Sequence, residues 1–549
     1  MKNSFQKYID KFGEYGEVTE IHGSLITALG LPSVKPMEIV LLESGIKGQV
    51  FSIEKDSVEI VILDKKKPAL GEKIALTGEL ISVPVSENIL GNIIDPLGNH
   101  IGPGGPTRSS KTSKEMRPLE SQIIGITKRA SVSKPLHTGL IVVDMMLPLG
   151  KGQKQLVIGD RKTGKTSFLL NVIKSQAHEG TLIVYGAIAR KQSDIKALIE
   201  FLEQEKIKEK VAIVATTSYD SPGLIYLTPY SSMTLAEYFR DQGKEVLVVL
   251  DDLTAHAKFY REMSLIGKRF PGRESYPGDI FYTHARLLER SGNFLIDGKK
   301  EASITCLPIV ETVESDLTGY IQTNVMSMTD GHLLFDQASF TRGRRPAINL
   351  PLSVTRVGRQ TQSLLKRQIN RQVTAYLAEY EKMQTLAHFG AELSGKVQKI
   401  LERGENMTIL FNQVGFDIIP EKAQLILLGL VWSDQIESED IEDLKTILAQ
   451  DKHYKSIEKV AEEIVDTDSF DQFLINVGQK KTDIFTTLKF TPKSVELATR
   501  ETIWETKTES GQVLPGGIPT EARPQEETAP SQSELLASLG VVNKPEKKK

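Results

Sequence analysis

The sequence predicts an N-terminal β-barrel, a central α/β domain built on a parallel sheet, and a C-terminal α-helical domain. Three patterns follow one another along its 549 residues and carry that expectation: short, partly alternating apolar runs, then continuous apolar runs divided by helical stretches, then helical periodicity alone. A chain of this length exceeds one hydrophobic core, so about three domains are expected.

Residues 1–15 form a lead-in. With Asp10 and Glu14 there, Glu17 just beyond and no apolar centre, neither a secretory signal nor a transit peptide fits. Residues 16–83 contain Ile39–Leu42, Gly48–Ile53 and Val58–Leu63, rich in β-branched side chains and separated by turn residues. Short strands at that spacing suggest a small closed barrel. The passages Asp95–Gly98 and Gly102–Pro106 read as connecting turns at the start of the α/β domain, taken as 84–361. Within it Leu156–Ile158, Leu182–Val184, Val211–Val214 and Val246–Leu250 are apolar throughout, as strands buried on both faces are. Helical segments such as Ser167–Ala177 and Ser193–Gln204 separate them, which implies a parallel sheet covered by helices. Over 362–505, Leu364, Ile369, Val373, Leu377, Tyr380 and Met383 follow helical spacing, with Gly404, Pro420 and Gly478 as punctuation. From 506 to 549 Gly, Pro, Glu, Thr and Ser dominate, and the segment reads as a disordered tail.

Composition excludes several functions. At 40% hydrophobic and 25% charged residues, with a net charge of -3, the chain has a globular composition and no global basic character to attract nucleic acid. The single cysteine, Cys306, rules out an internal disulfide; inside the run Ile304–Val310 it reads as a small core hydrophobe. No apolar stretch approaches the roughly 18–20 residues of a membrane span, so membrane association is expected through partners.

The strongest motif is Gly159–Asp160–Arg161–Lys162–Thr163–Gly164–Lys165–Thr166, followed by Ser167. It matches G-x-x-x-x-G-K-[ST] in full and lies between an apolar strand and a helix, the context a P-loop requires. Backbone N–H groups and the helix N-terminus would cradle ATP or ADP phosphates, Lys165 would reach the β/γ-phosphates, and the Thr166 hydroxyl would bind Mg²⁺. Val246–Leu250 ends in Asp251–Asp252, at the sheet edge where open α/β sheets bind ligands. Asp251 is expected to hold the Mg²⁺ shell through water. Hydrolysis further needs a group that orients or deprotonates water. It is sought in Tyr185–Gln192, where no carboxylate stands before Asp194 and Arg190 holds the central position. A guanidinium is always protonated and cannot act as a base, so this site should hold nucleotide without turning it over quickly.

At this point the residues resemble a known family, the alpha subunits of F-type (rotary) ATP synthases. Gly159–Thr166, Leu250–Thr254, Tyr260–Ser264, Pro271–Asp279, Leu307–Thr312, Arg345–Asn349 and Ser353–Gly358 carry the likeness, which extends over roughly 15–505. The resemblance implies a RecA-like central domain and a place beside beta subunits in an alternating ring around a gamma-type shaft. A delta or peripheral-stalk contact is implied too, with membrane contact only through the ion-translocating sector. It places the chain peripherally on the cytoplasmic face of a bacterial cell membrane, serving ATP synthesis or hydrolysis coupled to ion, chiefly proton, flow. By position, Arg356 aligns with the arginine finger that acts in trans at the beta site, and Ser353 with a position that matters for activity. Phe340, Arg345, Pro346 and Gln413 align with the adenine and ribose end of the alpha site. The sequence departs from the family at Lys162 and Arg190, where Gln is usual, and at Gly415, which replaces a second adenine-side Gln.

Two rival readings stand beside this: a non-enzymatic assembly module with a vestigial P-loop, against which the complete Gly159–Thr166 loop argues, and a self-sufficient homohexameric P-loop ATPase, an export motor or termination helicase. Those enzymes carry Glu where Arg190 stands. The region 16–83 also has interspersed acids (Glu43, Glu54, Asp56, Glu59, Asp64) and no aromatic face for stacking bases.

Overall fold

The structure, a computed structural model, describes residues 2–102, 115–298, 300–388 and 394–493. The tail expected over 506–549 lies outside them.

A helix that the lead-in reading omitted, Lys2–Phe12, comes first and packs Phe5 on Leu41 and Ala75. Six antiparallel strands follow: β1 (Gly16–His22), β2 (Leu25–Leu29), β3 (Glu38–Leu42), β4 (Lys47–Ile53), β5 (Val58–Ile62) and β6 (Lys73–Leu80). They close in the order β1-β2-β5-β4-β3-β6, so the expected barrel is present and has no free edge. Val18, Ile26, Val40, Val50, Ile60 and Ile74 fill it.

The central domain adds β7 (Ile93–Ile94), β8 (Gln155–Gly159), β9 (Leu182–Arg190), β10 (Val211–Thr217), β11 (Val246–Asp251), β12 (Gly292–Ile296), β13 (Lys300–Glu311), β14 (Gly331–Phe335) and β15 (Val354–Thr355). The main path runs β15-β14-β8-β13-β11-β9-β10-β7, parallel from β14 to β7, with β15 antiparallel at the edge. Alternate side chains enter two cores. Val157, Ile183 and Ile213 face one, Leu156, Val184 and Val214 the other, which explains the unbroken apolar strands. Cys306 is fully buried in the second core, and burial pushes its thiol up to about 12, so it is inert packing.

Helices Leu364–His388, Gly395–Phe411, Glu421–Trp432, Ser438–Leu448, Asp451–Val465 and Phe470–Leu488 form the last domain. Its core is continuous with the first face of the sheet. Hydrogen bonds reinforce the join: the helix behind the P-loop (Lys165–His178) donates from Asn171 Nδ2 to the Gly415 carbonyl (3.2 Å) and from Lys174 Nζ to that of Phe416 (2.9 Å). Gly404 lets two helices of this domain approach, since a Cβ there would sit 2.1 Å from Tyr380 Cδ2. Gly404→Ala therefore costs about 1–3 kcal/mol by overpacking, read as a lower urea midpoint; an unchanged midpoint would mean that Tyr380 yields freely.

Candidate nucleotide-binding site

The P-loop leaves β8 at the C-terminal end of the parallel strands. Gly159 has φ 153°, and a Cβ there would lie 2.2 Å from the Phe335 carbonyl oxygen on β14, so only glycine passes that strand so closely. Gly164, at φ 94°, caps the helix Lys165–His178 in the left-handed region. Between them the Asp160 carboxylate anchors the loop to the segment after β13. It accepts from Thr312 Oγ1 (2.5 Å) and from the Ser315 N–H (2.9 Å) and hydroxyl (3.1 Å). Partial burial raises its pKa, but these bonds and Lys165 outweigh that and hold the carboxyl below its usual range. Thr163 Oγ1 donates to the Asp160 carbonyl at 2.7 Å. Lys165 Nζ donates to the Gly159 (2.7 Å) and Asp160 (2.5 Å) carbonyls; burial lowers its pKa against the pull of nearby carboxylates. Arg161, Lys162, Thr166 and Ser167 are exposed.

Register brings the acids to the same edge. Gly159 lies opposite Glu311 of β13, and Asp251 closes β11 opposite Ala187 of β9. Asp251 is buried, and its Oδ2 accepts the Tyr185 hydroxyl at 2.6 Å and faces Arg190 Nη2 at 3.1 Å. Arg190 Nη1 stands 3.5 Å from Asp252 Oδ2, while Asp252 Oδ1 caps the helix Leu253–Ile266 by accepting from the Ala255 N–H (2.6 Å). Burial, then Asp251 and Glu311, push the Asp252 carboxyl up to about 7. Burial would lower the Arg190 pKa, yet Asp251, Tyr185 and Asp252 raise it overall. A cavity of about 280 Å³ lies here, lined by Thr166, Leu169, Tyr185, Arg190, Asp194 and Asp251.

Two contributors were not read from the sequence. Glu311 ends β13 beside the loop and pairs through Oε2 with Arg161 Nε at 2.8 Å. Its signal was available, since it ends an apolar run just as Asp251 does. Tyr185, buried on β9, had no polar signal.

At the expected base end, Phe340 lies on the short helix Gln337–Thr341 that follows β14. The Arg345 guanidinium stacks on its ring, 3.6 Å from the centroid, and Pro346 is half-buried beside it. Gln413 is nearby but buried: its Nε2 donates to the Gly139 (2.9 Å) and Asp417 (2.8 Å) carbonyls, and its Oε1 accepts from the Ile141 N–H (3.1 Å). Both of its donors serve backbone, so this amide joins two domains instead of facing a base.

Ser353 and Arg356 belong elsewhere. Ser353 Oγ accepts from the Leu334 N–H (3.0 Å) and donates to the Asn349 carbonyl (2.6 Å), fixing the approach to β15. Arg356 follows β15 and is exposed. Thr355 lies opposite Gly331, whereas Gly159 lies opposite Phe335, the other end of β14. At about 3.3 Å per strand residue, these ends are about 13 Å apart along the sheet. That is too far for Arg356 to serve its own phosphate loop.

Comparison with known proteins agrees with this architecture. Residues 139–355 match the ATP synthase alpha/beta family, nucleotide-binding domain, and residues 362–480 match the ATP synthase alpha/beta chain, C terminal domain. The chain is 39% identical over 419 residues to ATP synthase subunit alpha of Aquifex aeolicus, covering 76% of this chain and 82% of that protein. It is 35% identical over 477 residues to ATP synthase subunit alpha of Clostridium botulinum strain Alaska E43, covering 85% and 94% respectively. A barrel, a P-loop sheet and a helical domain in this order, with both family matches and these relatives, show that the chain belongs to the ATP synthase alpha/beta family, on the side of its alpha subunits.

Proposed function

We propose that the chain is a non-catalytic, nucleotide-binding alpha subunit of an F-type ATP synthase. It holds ATP or ADP in its own P-loop site and lends Arg356 to the catalytic site of a neighbouring beta subunit. Beta subunits, a gamma-type shaft and a delta or peripheral stalk are its partners. Ion flow, chiefly of protons, belongs to the membrane sector, and no described helix of this chain is long and apolar enough to cross a membrane. The peripheral position on the cytoplasmic face follows from those partners.

The observation that carries the reading is Arg190 between Asp251 and Asp252, where a water-activating carboxylate would have to act. Glu311, which ends β13 beside the loop, is paired with Arg161. For Mg²⁺ arriving with the nucleotide, Thr166 offers an exposed hydroxyl at the helix start. Asp251 is the poorer fit, being buried and engaged by Tyr185 and Arg190. Phe340, Arg345 and Pro346 remain the candidates for the base and ribose.

The purified full-length chain should bind ADP and ATP with negligible turnover, measured by calorimetry and a phosphate-release assay. Lys165→Ala should weaken binding about 10- to 150-fold, the loss of one charge-assisted phosphate contact; unchanged affinity would remove the P-loop from the reading. The acid to test for the self-sufficient ATPase is Asp252, whose carboxyl is raised by burial and by Asp251 and Glu311 although Arg190 and the Ala255 N–H engage its two oxygens. Steady hydrolysis by the chain alone, abolished by Asp252→Asn, would establish that alternative.

A further inference from the structure

We propose that Arg190 is a built-in counter-charge of this site, so that the chain holds a nucleoside di- or triphosphate without needing a divalent cation. The inference rests on the nucleotide-binding reading and adds to it how the site balances charge.

Asp251, Asp252 and Glu311 converge on the edge where the P-loop opens, and all three act electrostatically on Lys165. Carboxylates so placed repel phosphate oxygens. In P-loop sites generally a divalent cation bridges the phosphate oxygens and neutralises their charge, and an acidic side chain helps to hold it. Here each acid already has a cation from this chain. The planar guanidinium of Arg190 spans two of them, with Nη2 3.1 Å from Asp251 Oδ2 and Nη1 3.5 Å from Asp252 Oδ2. Arg161 takes Glu311 at 2.8 Å. To join a metal shell through Oδ2, Asp251 would have to give up Arg190 and a 2.6 Å bond from Tyr185, both at a buried atom.

Arg190 is also placed to meet the ligand. It lines the same cavity as Thr166, the residue at the start of the phosphate-cradling helix. A guanidinium carries five N–H donors, and its two carboxylate contacts leave others for phosphate oxygens. An uncharged amide at this position would leave Asp251 and Asp252 without that cation, and a divalent ion would then be needed.

The test is calorimetric titration of the full-length chain with ADP, and separately with ATP, in Mg²⁺ and in excess EDTA. The wild type should change affinity less than about threefold between the two conditions, well under the tenfold that one charged contact represents. Arg190→Gln should bind in Mg²⁺ but lose about tenfold or more in EDTA, whereas Arg190→Lys, which keeps the charge, should retain most of its EDTA affinity. A wild type that itself loses about tenfold on chelation overturns the proposal, as does an Arg190→Gln chain indifferent to EDTA. Should Arg190→Gln fail to fold, the wild-type comparison alone decides. Binding in neither condition would sink the nucleotide-site reading, and the proposal with it.

Discussion

On the proposed reading, Arg356→Ala should lower turnover of a reconstituted alpha–beta ring by about 10³–10⁵, the range an arginine finger supplies in phosphoryl transfer. Assembly and nucleotide occupancy should stay near wild type, because Arg356 is exposed and no described residue gives its guanidinium an ion pair or hydrogen bond. Arg356 lies at the strand end away from the P-loop, beside Asp330, whose carbonyl accepts its N–H at 3.0 Å. That position keeps Arg356 from its own phosphate loop and fits the proposed action on a neighbouring subunit. The measurement is steady-state ATPase of rings carrying the variant, with bound nucleotide counted after gel filtration. Lys at this position should recover only part of the rate, since an ammonium cannot form the two-pronged contact. Rates equal to wild type would take Arg356 out of the mechanism. Ser353→Ala should act more mildly, because its hydroxyl braces the approach to β15 by a backbone bond at each side.

The second large effect concerns stability. Arg290 and Glu237 are buried partners, with side chains 3% and 9% exposed. Arg290 meets Glu237 through Nε (3.0 Å) and Nη2 (2.6 Å), and also donates to the Leu119 carbonyl and the Thr234 hydroxyl, each at 2.8 Å. One fork thus joins the segment at 119, the helix Pro222–Asp241 and the turn before β12. Arg290→Met strands a buried carboxylate whose remaining partners are Ser121 and the more distant Arg240, and costs about 3–5 kcal/mol. The urea transition that reports the central domain should move accordingly. Adding Glu237→Leu should restore much of the loss, since replacing both ions removes the uncompensated charge. A shift below about 1 kcal/mol in the single variant would show that the pair contributes no more than a surface bridge.

The architecture was readable because its signals are local. β11 reads as a strand from Val246–Leu250 alone, and Gly159–Thr166 names a phosphate cradle without any tertiary information. The first helix has a local signal too, since Phe5, Ile9 and Phe12 repeat at helical spacing. Other features needed the folded chain. Arg190 was read as the absence of a base, and its fork across Asp251 and Asp252 depends on β9 pairing with β11. Glu311 reaches the loop only because β13 pairs with β8. Gln413 looked like a base-reading amide, but its partners Gly139 and Ile141 are more than 270 residues away in the chain, and no local pattern announces them.

The seam between Asn171, Lys174 and the carbonyls of Gly415 and Phe416 has a mechanical consequence. Those two side chains stand on the rod whose first turn cradles phosphate, and their acceptors hang from the last domain. A displacement of that domain would therefore pull on the cradle's own helix at two points, and a shift of the helix would be felt by the domain along the same path.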